Sequence, residues 1–415
     1  MNLLFIAHRI PYPPNKGDKI RSFNELRYLA GLGRVTLAAL VDDPRDFQYR
    51  KKLEDLCDRV LLAPIAPRRK KIVSLSAPFS GRPMSVHYFY DSGLQRQIDQ
   101  LLETEEFDGI FCFSATSAEY VFRSRALNRD SARCPLLVMD FCDVDSRKWH
   151  DYSTSVRGPL AWLYRLEGRL LENYESRVIA SFAHVILISE REIALFRQVH
   201  PTAREVVEIG NGVDLDFFNP AAFPRPEKAG NEVVFTGAMD YYVNIEGVLW
   251  FVDEIWPGIR KACPEACFTI VGSNPAPEIV ALGERSEGIT VTGYVDDIRT
   301  YYARATVCVA PLRIARGIQN KVLEALAMGR AVVATANAFE GIRAEPDRDL
   351  VVRDRADDFA AAVIELLENP EKRRRLEASG RCRMEENYRW ETNLERLGEL
   401  FRAGSETCAE EGKLL

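Results

Sequence analysis

The sequence lacks several patterns that would define its class at once. No apolar stretch approaches the roughly 20 residues that a helix needs to span a bilayer, and the run Leu3–Ala7 is too short for the apolar core of a signal peptide. The loops that follow the first strand of each half contain no G-x-G-x-x-G pattern, and no P-loop is present. An NAD-dependent Rossmann enzyme and an NTP hydrolase are therefore disfavoured.

Cysteine pairs and excess positive charge are also missing. The nine cysteines include no C-x-x-C pair, which is typical of reduced thiols that fill core space. None of the five histidines lies in a catalytic-triad or metal-pair context. A net charge of −6 argues against a broad nucleic-acid surface. We expect a cytoplasmic protein with no nucleic-acid partner.

What the sequence does contain is an alternation of short apolar runs with helix-length amphipathic segments. This pattern predicts an α/β fold with two Rossmann-like domains, whose parallel sheets are covered on both faces. Twelve strands are predicted: 3–7, 35–40, 59–63, 109–113, 136–140, 184–188, 232–236, 267–271, 289–292, 306–310, 331–335 and 350–352.

The predicted domains follow from these two series of strands. Residues 1–200 form an N-terminal Rossmann-like domain and residues 201–387 a C-terminal one. Residues 388–403 are an amphipathic helix that packs back on the N-terminal domain, and 404–415 are a flexible tail. Because ligands bind at the carboxyl ends of parallel strands, we expect the opening loops of both halves to face a central cleft.

The segment after the strand 306–310 concentrates positive charge. Arg313, Arg316 and Lys321 precede or open a helix that runs to about Met328 and is ended by Gly329. The N-terminus of a helix already carries roughly half a positive charge. A pyrophosphate would balance these cations, while the alternative is a solvated basic loop.

Glu324 is the one acid on this otherwise apolar helix. It does not fit a capping box, because with Asn320 as N-cap the N3 residue is Leu323. A carboxylate in such surroundings needs partners. We interpret Glu324 as an acceptor of hydrogen bonds from sugar hydroxyls, the role that acidic residues have toward ribose in other nucleotide sites.

Here the sequence resembles a known family. The segment 317–333, GIQNKVLEALAMGRAVV, resembles the donor-site signature of glycosyltransferase family 4. Three further segments resemble that family in the expected order: IGNGVD at 209–214, FTGAM at 235–239 and GYVDD at 293–297. The segments 11–21, 140–149 and 316–324 resemble sugar transferases associated with bacterial PEP-CTERM/exosortase exopolysaccharide systems.

The resemblance implies a GT-B fold in which the N-terminal domain, 1–200, binds the acceptor and the C-terminal domain, 201–387, binds a nucleotide-sugar. It implies retaining transfer from a UDP- or GDP-sugar, with no cofactor and no essential metal. We assign catalytic roles to Arg316, Lys321 and Glu324. The donor would also contact Gly17, Gly237, Arg313, Gly317, Gln319, Asn320, Val322 and Leu323. Arg316 stands where the family has a first Glu, and Asn244 lies near a usual Lys. We therefore expect phosphate binding to rest on Arg316 and Lys321.

The N-terminal half supplies candidates for the acceptor side. Gly17 would let the backbone approach the donor phosphate, unless it belongs to an ordinary Pro/Gly turn. Arg21 would contact phosphate or acceptor, or else lie on a solvated helix face, and His8 would line the cleft. Asp143 and Asp145 have the Asp-x-Asp spacing that can bind a divalent metal, but we favour contact with the acceptor.

The expected reaction is transfer of a sugar to a saccharide or a polyprenyl-linked saccharide acceptor in exopolysaccharide biosynthesis. The basic run Arg68–Lys71 is either solvated or attracted to anionic lipid, which would give peripheral contact with the cytoplasmic face of the inner membrane. Two alternatives are kept: a GT-B-type sugar-nucleotide epimerase, and a non-catalytic nucleotide-sugar-binding subunit of a polysaccharide assembly complex.

Overall fold

The computed structural model describes residues 1–127, 135–226, 230–315 and 317–411. It divides the chain into two compact units. The first unit contains Met1–Gly210 and Leu394–Leu415, and the second contains Asn211–Asn393. Each unit is built on one parallel sheet.

The sheet of the first unit has seven strands in the order β3-β2-β1-β4-β5-β6-β7. They are β1 Asn2–Ala7, β2 Arg34–Val41, β3 Arg59–Pro64, β4 Gly109–Phe113, β5 Leu136–Cys142, β6 His184–Leu187 and β7 Val206–Glu208. The helices are α1 Gly17–Leu32, α2 Arg50–Glu54, α3 Pro67–Ser74, α4 Met84–Tyr88, α5 Ser92–Thr104, α6 Ala118–Phe122, α7 Asp145–Ser155, α8 Pro159–Ser181 and α9 Glu190–Val199. Short 3₁₀ turns cover Pro44–Tyr49, Ala77–Ser80 and Ala115–Ser117.

The sheet of the second unit has six strands in the order β10-β9-β8-β11-β12-β13. They are β8 Glu232–Thr236, β9 Cys267–Val271, β10 Ile289–Val291, β11 Val307–Ala310, β12 Ala331–Ala334 and β13 Val351–Val352. The helices are α10 Tyr242–Trp250, α11 Trp256–Ala262, α12 Pro277–Arg285, α13 Arg299–Arg304, α14 Asn320–Ala327, α15 Ala336–Phe339, α16 Ala356–Glu368 and α17 Pro370–Asn387. A π-helical turn, Phe251–Ile255, joins α10 to α11.

The twelve predicted strands are confirmed, with ends shifted by at most two residues. A thirteenth, β7, was missed, and it moves the boundary between the units. The predicted boundary at residue 200 falls before β7, but β7 pairs with β6 and so belongs to the first sheet. The structure therefore places the boundary after Gly210.

The last helix, α18 Trp390–Glu411, extends beyond the predicted end at 403. It begins in the second unit and continues in the first. There Phe401 lies 6.5 Å from Phe111, measured between ring centres, and it fills the space beside Gly109. Of the expected tail, 412–415 lie outside the described residues.

Each sheet has one point where the chain switches direction. In the second sheet β8 lies between β9 and β11. The chain first adds β9 and β10 on one side of β8 and then returns to add β11, β12 and β13 on the other side. The carboxyl ends of strands at such a switch point are where doubly wound sheets bind ligands. We therefore expect a ligand-binding site among the residues that follow β8 and β11. Within the described part of the chain, no helix has the length and apolar character required to cross a membrane.

Candidate functional site

Helix α14 begins where the loop after β11 ends. Gln319 has extended backbone at the N-cap, and the helix ends before Gly329, whose positive φ of 60° fits the predicted C-terminal glycine. Val322, Leu323 and Leu326 are fully buried on the inner face. The first amides of a helix have no intrahelical acceptor. The start of α14 thus offers N–H donors at the switch point of the sheet.

Lys321 extends from the second position of α14 toward the end of β8. Its Nζ donates a hydrogen bond of 2.5 Å to Asn244 Oδ1, and it lies 4.5 Å from the centre of the Phe235 ring. Burial lowers the pKa of Lys321 to about 7, although the charge of Glu324 opposes the shift. A cation held by a neutral amide in a partly buried position is one that an anion would stabilise.

Glu324 lies one turn further along the same face of α14. Its Oε2 accepts a 2.8 Å hydrogen bond from the Tyr302 hydroxyl, whose oxygen in turn lies 2.8 Å from Thr236 Oγ1. Burial raises the pKa of Glu324, whereas the Tyr302 hydrogen bond and Lys321 favour its charged form. Sequence reasoning did not assign a role to Tyr302 or Thr236. Tyr302 lies outside the recognised motifs, Thr236 lies within the segment 235–239 but was not singled out, and both are distant from Glu324 along the chain.

Gly237, the residue after β8, packs closely against Asn244 and Lys321. A Cβ atom at this position would lie 2.7 Å from Asn244 Nδ2 and 3.2 Å from Lys321 Nζ. The absence of a side chain therefore allows the Asn244–Lys321 pair to approach the end of the strand. The structure brings together Lys321, Glu324 and Gly237, three of the predicted site residues.

The predicted cluster of uncompensated cations is partly wrong. Arg313 Nε donates a 2.6 Å hydrogen bond to Glu246 Oε1, and its guanidinium lies 5.5 Å from the Trp250 ring centre. The charge of Arg313 is therefore balanced by Glu246 on α10, which is 67 residues away along the chain and could not be identified from the sequence of the loop. Arg316 lies outside the described residues, so its role stays a prediction.

The other predicted donor contacts surround the start of α14. Gly317 has a left-handed backbone with φ 64°, which favours glycine. Gln319 Nε2 donates to the Gly317 carbonyl over 3.1 Å, and Asn320 is the first helical residue rather than the expected N-cap. These residues lie where donor contacts were predicted.

The side chains of Val322 and Leu323 are not available for the predicted contact with the donor. Both side chains are fully buried in the core of the second unit. Their amides donate to the Gln319 carbonyl over 2.9 and 3.4 Å. Because the side chains anchor α14 to its sheet, a donor contact through them is excluded, whereas a contact through the backbone of these two residues stays a prediction.

In the first unit, Arg21 is not available to an acceptor. It is 2% exposed, and its Nε lies 2.6 Å from Asp140 Oδ2 and 3.1 Å from Glu25 Oε1. Burial and the Asp140 charge raise the pKa of Glu25 well above its usual range. The prediction of a phosphate or acceptor contact is therefore wrong for Arg21, whose guanidinium is engaged in a buried ion-pair cluster.

His8 is also buried, against the rings of Phe89 and Phe113, with centre-to-centre distances of 4.9 and 5.8 Å. Its Nε2 lies 3.4 Å from Asp18 Oδ2. Burial lowers the pKa of His8. Gly17 is the exposed first residue of α1, and its contact with a donor stays a prediction.

Asp143 and Asp145 follow β5 at the start of α7. Both are partly buried, and burial raises the pKa of Asp145 to about 6, with Lys148 opposing the shift. Across the described ranges no group of three or more His, Cys, Asp or Glu residues has metal-site geometry. The acceptor role of these two carboxyl groups stays a prediction.

Comparison with solved structures defines the class of this fold. Sucrose-phosphate synthase from Thermosynechococcus elongatus matches with a TM-score of 0.71 and 19% identity, over 97% of this chain and 98% of that one. Anabaena HepE, in complex with UDP and glucose, matches with a TM-score of 0.68 and 15% identity, over 97% and 100%. The fold is GT-B, the two-domain architecture of many glycosyltransferases.

Sequence comparison supports the same class for part of the chain. Residues 230–369 match the family described as Glycosyl transferases group 1. The phosphatidyl-myo-inositol mannosyltransferase of Mycobacterium tuberculosis is 31% identical over 216 residues, which are 49% of this chain and 55% of that protein. An uncharacterized 44.6 kDa protein in the cps region of Klebsiella pneumoniae is 20% identical over 397 residues, 93% and 96% of the two chains. The second unit thus resembles a group 1 glycosyltransferase domain over residues 230–369.

Proposed function

We propose that this protein is a retaining glycosyltransferase that moves a sugar from a UDP- or GDP-sugar to a saccharide acceptor. The observation that carries this is the placement of Lys321 and Glu324 at the start of α14, beside the end of β8. The match of residues 230–369 to group 1 glycosyltransferases and the UDP complex of the structural neighbour HepE support it.

In this proposal, the α14 N-terminus and Lys321 stabilise the leaving group. The bond between the anomeric carbon and the phosphate oxygen breaks, and the nucleoside diphosphate leaves with the electron pair. Lys321 Nζ and the first amides of α14 are donors suited to that developing charge. The acceptor hydroxyl forms the new glycosidic bond, its proton passes to the departing diphosphate oxygen, and the sugar keeps its anomeric configuration.

Glu324 would orient the donor. Its carboxylate is fixed by the Tyr302 hydroxyl through Oε2, and a carboxylate can accept further hydrogen bonds from ribose hydroxyls. An acid held in this way loses little freedom when the ligand binds. Positioning by Glu324 and charge stabilisation by Lys321 are then separate contributions from one face of one helix.

The identity of the acceptor is a further part of this proposal. We infer a polyprenyl-linked saccharide in exopolysaccharide biosynthesis, handled in the cytoplasm at the inner membrane. The resemblance of three segments to transferases of PEP-CTERM systems supports it, as does the relative in the cps region of Klebsiella pneumoniae. Glycosyltransferase family 4 is the family that we propose.

A thermal-shift screen with UDP, GDP, ADP and their sugars tests the donor site. A ligand at about 100 times its Kd stabilises the folded state by about 2.7 kcal/mol. We expect a rise in Tm with UDP or GDP that Lys321→Ala abolishes. Lys261→Ala, an exposed lysine on α11 of the same unit, is the matched control and should keep the full shift. Absence of a shift with every nucleotide would remove the proposed site.

Product analysis tests the reaction. Incubation of the binding nucleotide-sugar with membrane extract should release nucleoside diphosphate only when an acceptor is present, and NMR of the product should show the anomeric configuration of the donor. Turnover without any acceptor would instead indicate an epimerase. Binding without release, with every acceptor fraction, would indicate a non-catalytic subunit.

A further inference from the structure

The segment that follows β3 exposes apolar side chains beside basic ones. Ile72, Val73 and Leu75 are 71%, 42% and 54% exposed, and Phe79, in the 3₁₀ turn after α3, is 94% exposed. Monomeric proteins seldom leave neighbouring large apolar side chains in water without a function. We call the exposed face formed by these four residues, with Arg69 and Lys71, the α3 patch.

The orientation of α3 is the reverse of that of an ordinary surface helix. Its inner side carries polar residues: the Lys70 ammonium donates to the Tyr90 carbonyl, and Ser74 is 4% exposed. Ile72 and Val73 face outward instead. Burial of the polar side at the expense of the apolar one is costly in water, and contact between the outer side and an apolar environment would offset that cost.

The charge of the segment specifies that environment. No acidic residue occurs from Pro64 to Tyr90, although the whole chain has a net charge of −6. Arg69, Lys71 and Arg82 are exposed around the apolar side chains. Alternating cations and apolar groups match a lipid surface with anionic headgroups, because the cations meet the headgroups while the apolar side chains enter the boundary of the acyl chains.

The patch is firmly held to the body of the first unit. Glu167 on α8 accepts hydrogen bonds from the Met84 and Ser85 amides, over 2.6 and 2.9 Å, and from the Ser85 hydroxyl over 2.7 Å. These bonds hold the start of α4, which follows the 3₁₀ turn. The buried Ala77 anchors the turn itself. Phe79 is therefore presented from a fixed base.

We propose that the α3 patch docks this protein on an anionic membrane surface. The proposal does not depend on the transfer reaction, because docking requires only the first unit's surface. Each cation near such a surface contributes about 1 kcal/mol, or about a fivefold gain in binding. The apolar side chains add a contribution that salt does not screen.

Flotation with phosphatidylcholine vesicles, with and without phosphatidylglycerol, tests the proposal on the full chain. The wild type should bind only the vesicles that contain phosphatidylglycerol, and added salt should weaken binding. Arg69→Glu with Lys71→Glu should lower binding by about 20-fold or more. Ile72→Ser with Phe79→Ser should lower it by about tenfold or more.

Two controls separate docking from general effects. Lys51→Glu with Lys52→Glu changes net charge equally at two exposed lysines of α2 and should bind as the wild type does. The Tm of every variant, and its increase with nucleotide, should be unchanged, since all the altered residues are exposed. Two results would overturn the proposal: equal binding of the wild type to vesicles with and without phosphatidylglycerol, or binding of the patch variants that equals that of the wild type. The first result would indicate that the α3 patch binds a protein partner instead.

Discussion

Both units place charged side chains on a helix that follows a strand of the parallel sheet, but the two units neutralise these charges differently. In the first unit, Arg21, Glu25 and Asp140 are almost fully buried, and the Arg21 guanidinium is compensated by the Asp140 carboxylate. In the second, Lys321 is held by the neutral side chain of Asn244, and Glu324 by the hydroxyl of Tyr302.

The difference separates a structural cluster from a binding site. Charges that pair with each other have little to gain from a ligand, because an incoming ion would have to replace an existing partner. Charges held by amides and hydroxyls keep most of their electrostatic potential. Perturbed pKa values occur at both clusters, so the kind of partner, rather than the shift, distinguishes them.

The largest expected effect concerns Lys321. Lys321→Met should lower transfer activity by roughly 100-fold or more, because it removes a donor to the leaving group. It should not lower the stability. The pKa of Lys321 is about 7 in the folded protein and 10.5 ordinarily, so below pH 7 both states are protonated and burial of the charge destabilises the folded state. The variant should therefore have the higher Tm at pH 6, and its advantage should shrink as the pH rises toward 10. A lower Tm at pH 6 would contradict the assignment.

Arg21→Met should have the opposite profile. It leaves the Asp140 carboxylate buried without its cation, which we expect to lower the free energy of unfolding by about 3–5 kcal/mol in urea titrations. Activity per folded molecule should be retained. Arg45→Met removes an exposed pair with Asp43 and serves as the control, with an unchanged urea midpoint. Loss of activity in folded Arg21→Met would restore Arg21 to the site.

Tyr302→Phe tests the positioning of Glu324. Loss of one hydrogen bond to a charged group costs about 1.5–3 kcal/mol, so kcat/KM for the donor should fall by roughly tenfold or more, mainly through KM. Tyr301→Phe removes the neighbouring hydroxyl and should leave both constants unchanged. Equal effects of the two substitutions would show that Tyr302 acts through the fold alone.

The smallest effect is expected at Glu25. Burial and Asp140 raise the pKa of Glu25 well above its usual range and so favour its protonated form, and Glu25→Gln should therefore change the free energy of unfolding by less than about 1 kcal/mol. Asp140→Asn should cost several times more, since it removes the carboxylate charge that lies 2.6 Å from the buried Arg21 guanidinium. Equal losses in urea titrations would indicate that Glu25 is ionised.

These comparisons also show what sequence alone could predict. Strands such as Val307–Ala310 could be predicted because a buried parallel strand is apolar along its length, whereas β7 has only three residues and ends at Glu208. Glu324 was recognised because an acid among Val, Leu and Ala is anomalous wherever the helix lies.

The partners of these residues could not be predicted. Asp140 lies 119 residues from Arg21, and Asn244 lies 77 residues from Lys321. Whether a cation meets a carboxylate or an amide depends on which strands become neighbours. The sequence therefore indicated both charges as candidates, and only the fold separates them.

The path of α18 has a consequence for how this chain can be cut. The second unit is one uninterrupted stretch, Asn211–Asn393, inserted between two parts of the first. It could be exchanged with a relative as a cassette, with two joints. The first unit cannot be produced by stopping the chain at Gly210, because Phe401, which fills the space beside Gly109, would be lost. A nonsense mutation near the end of the gene would thus damage the core of the domain encoded at its beginning.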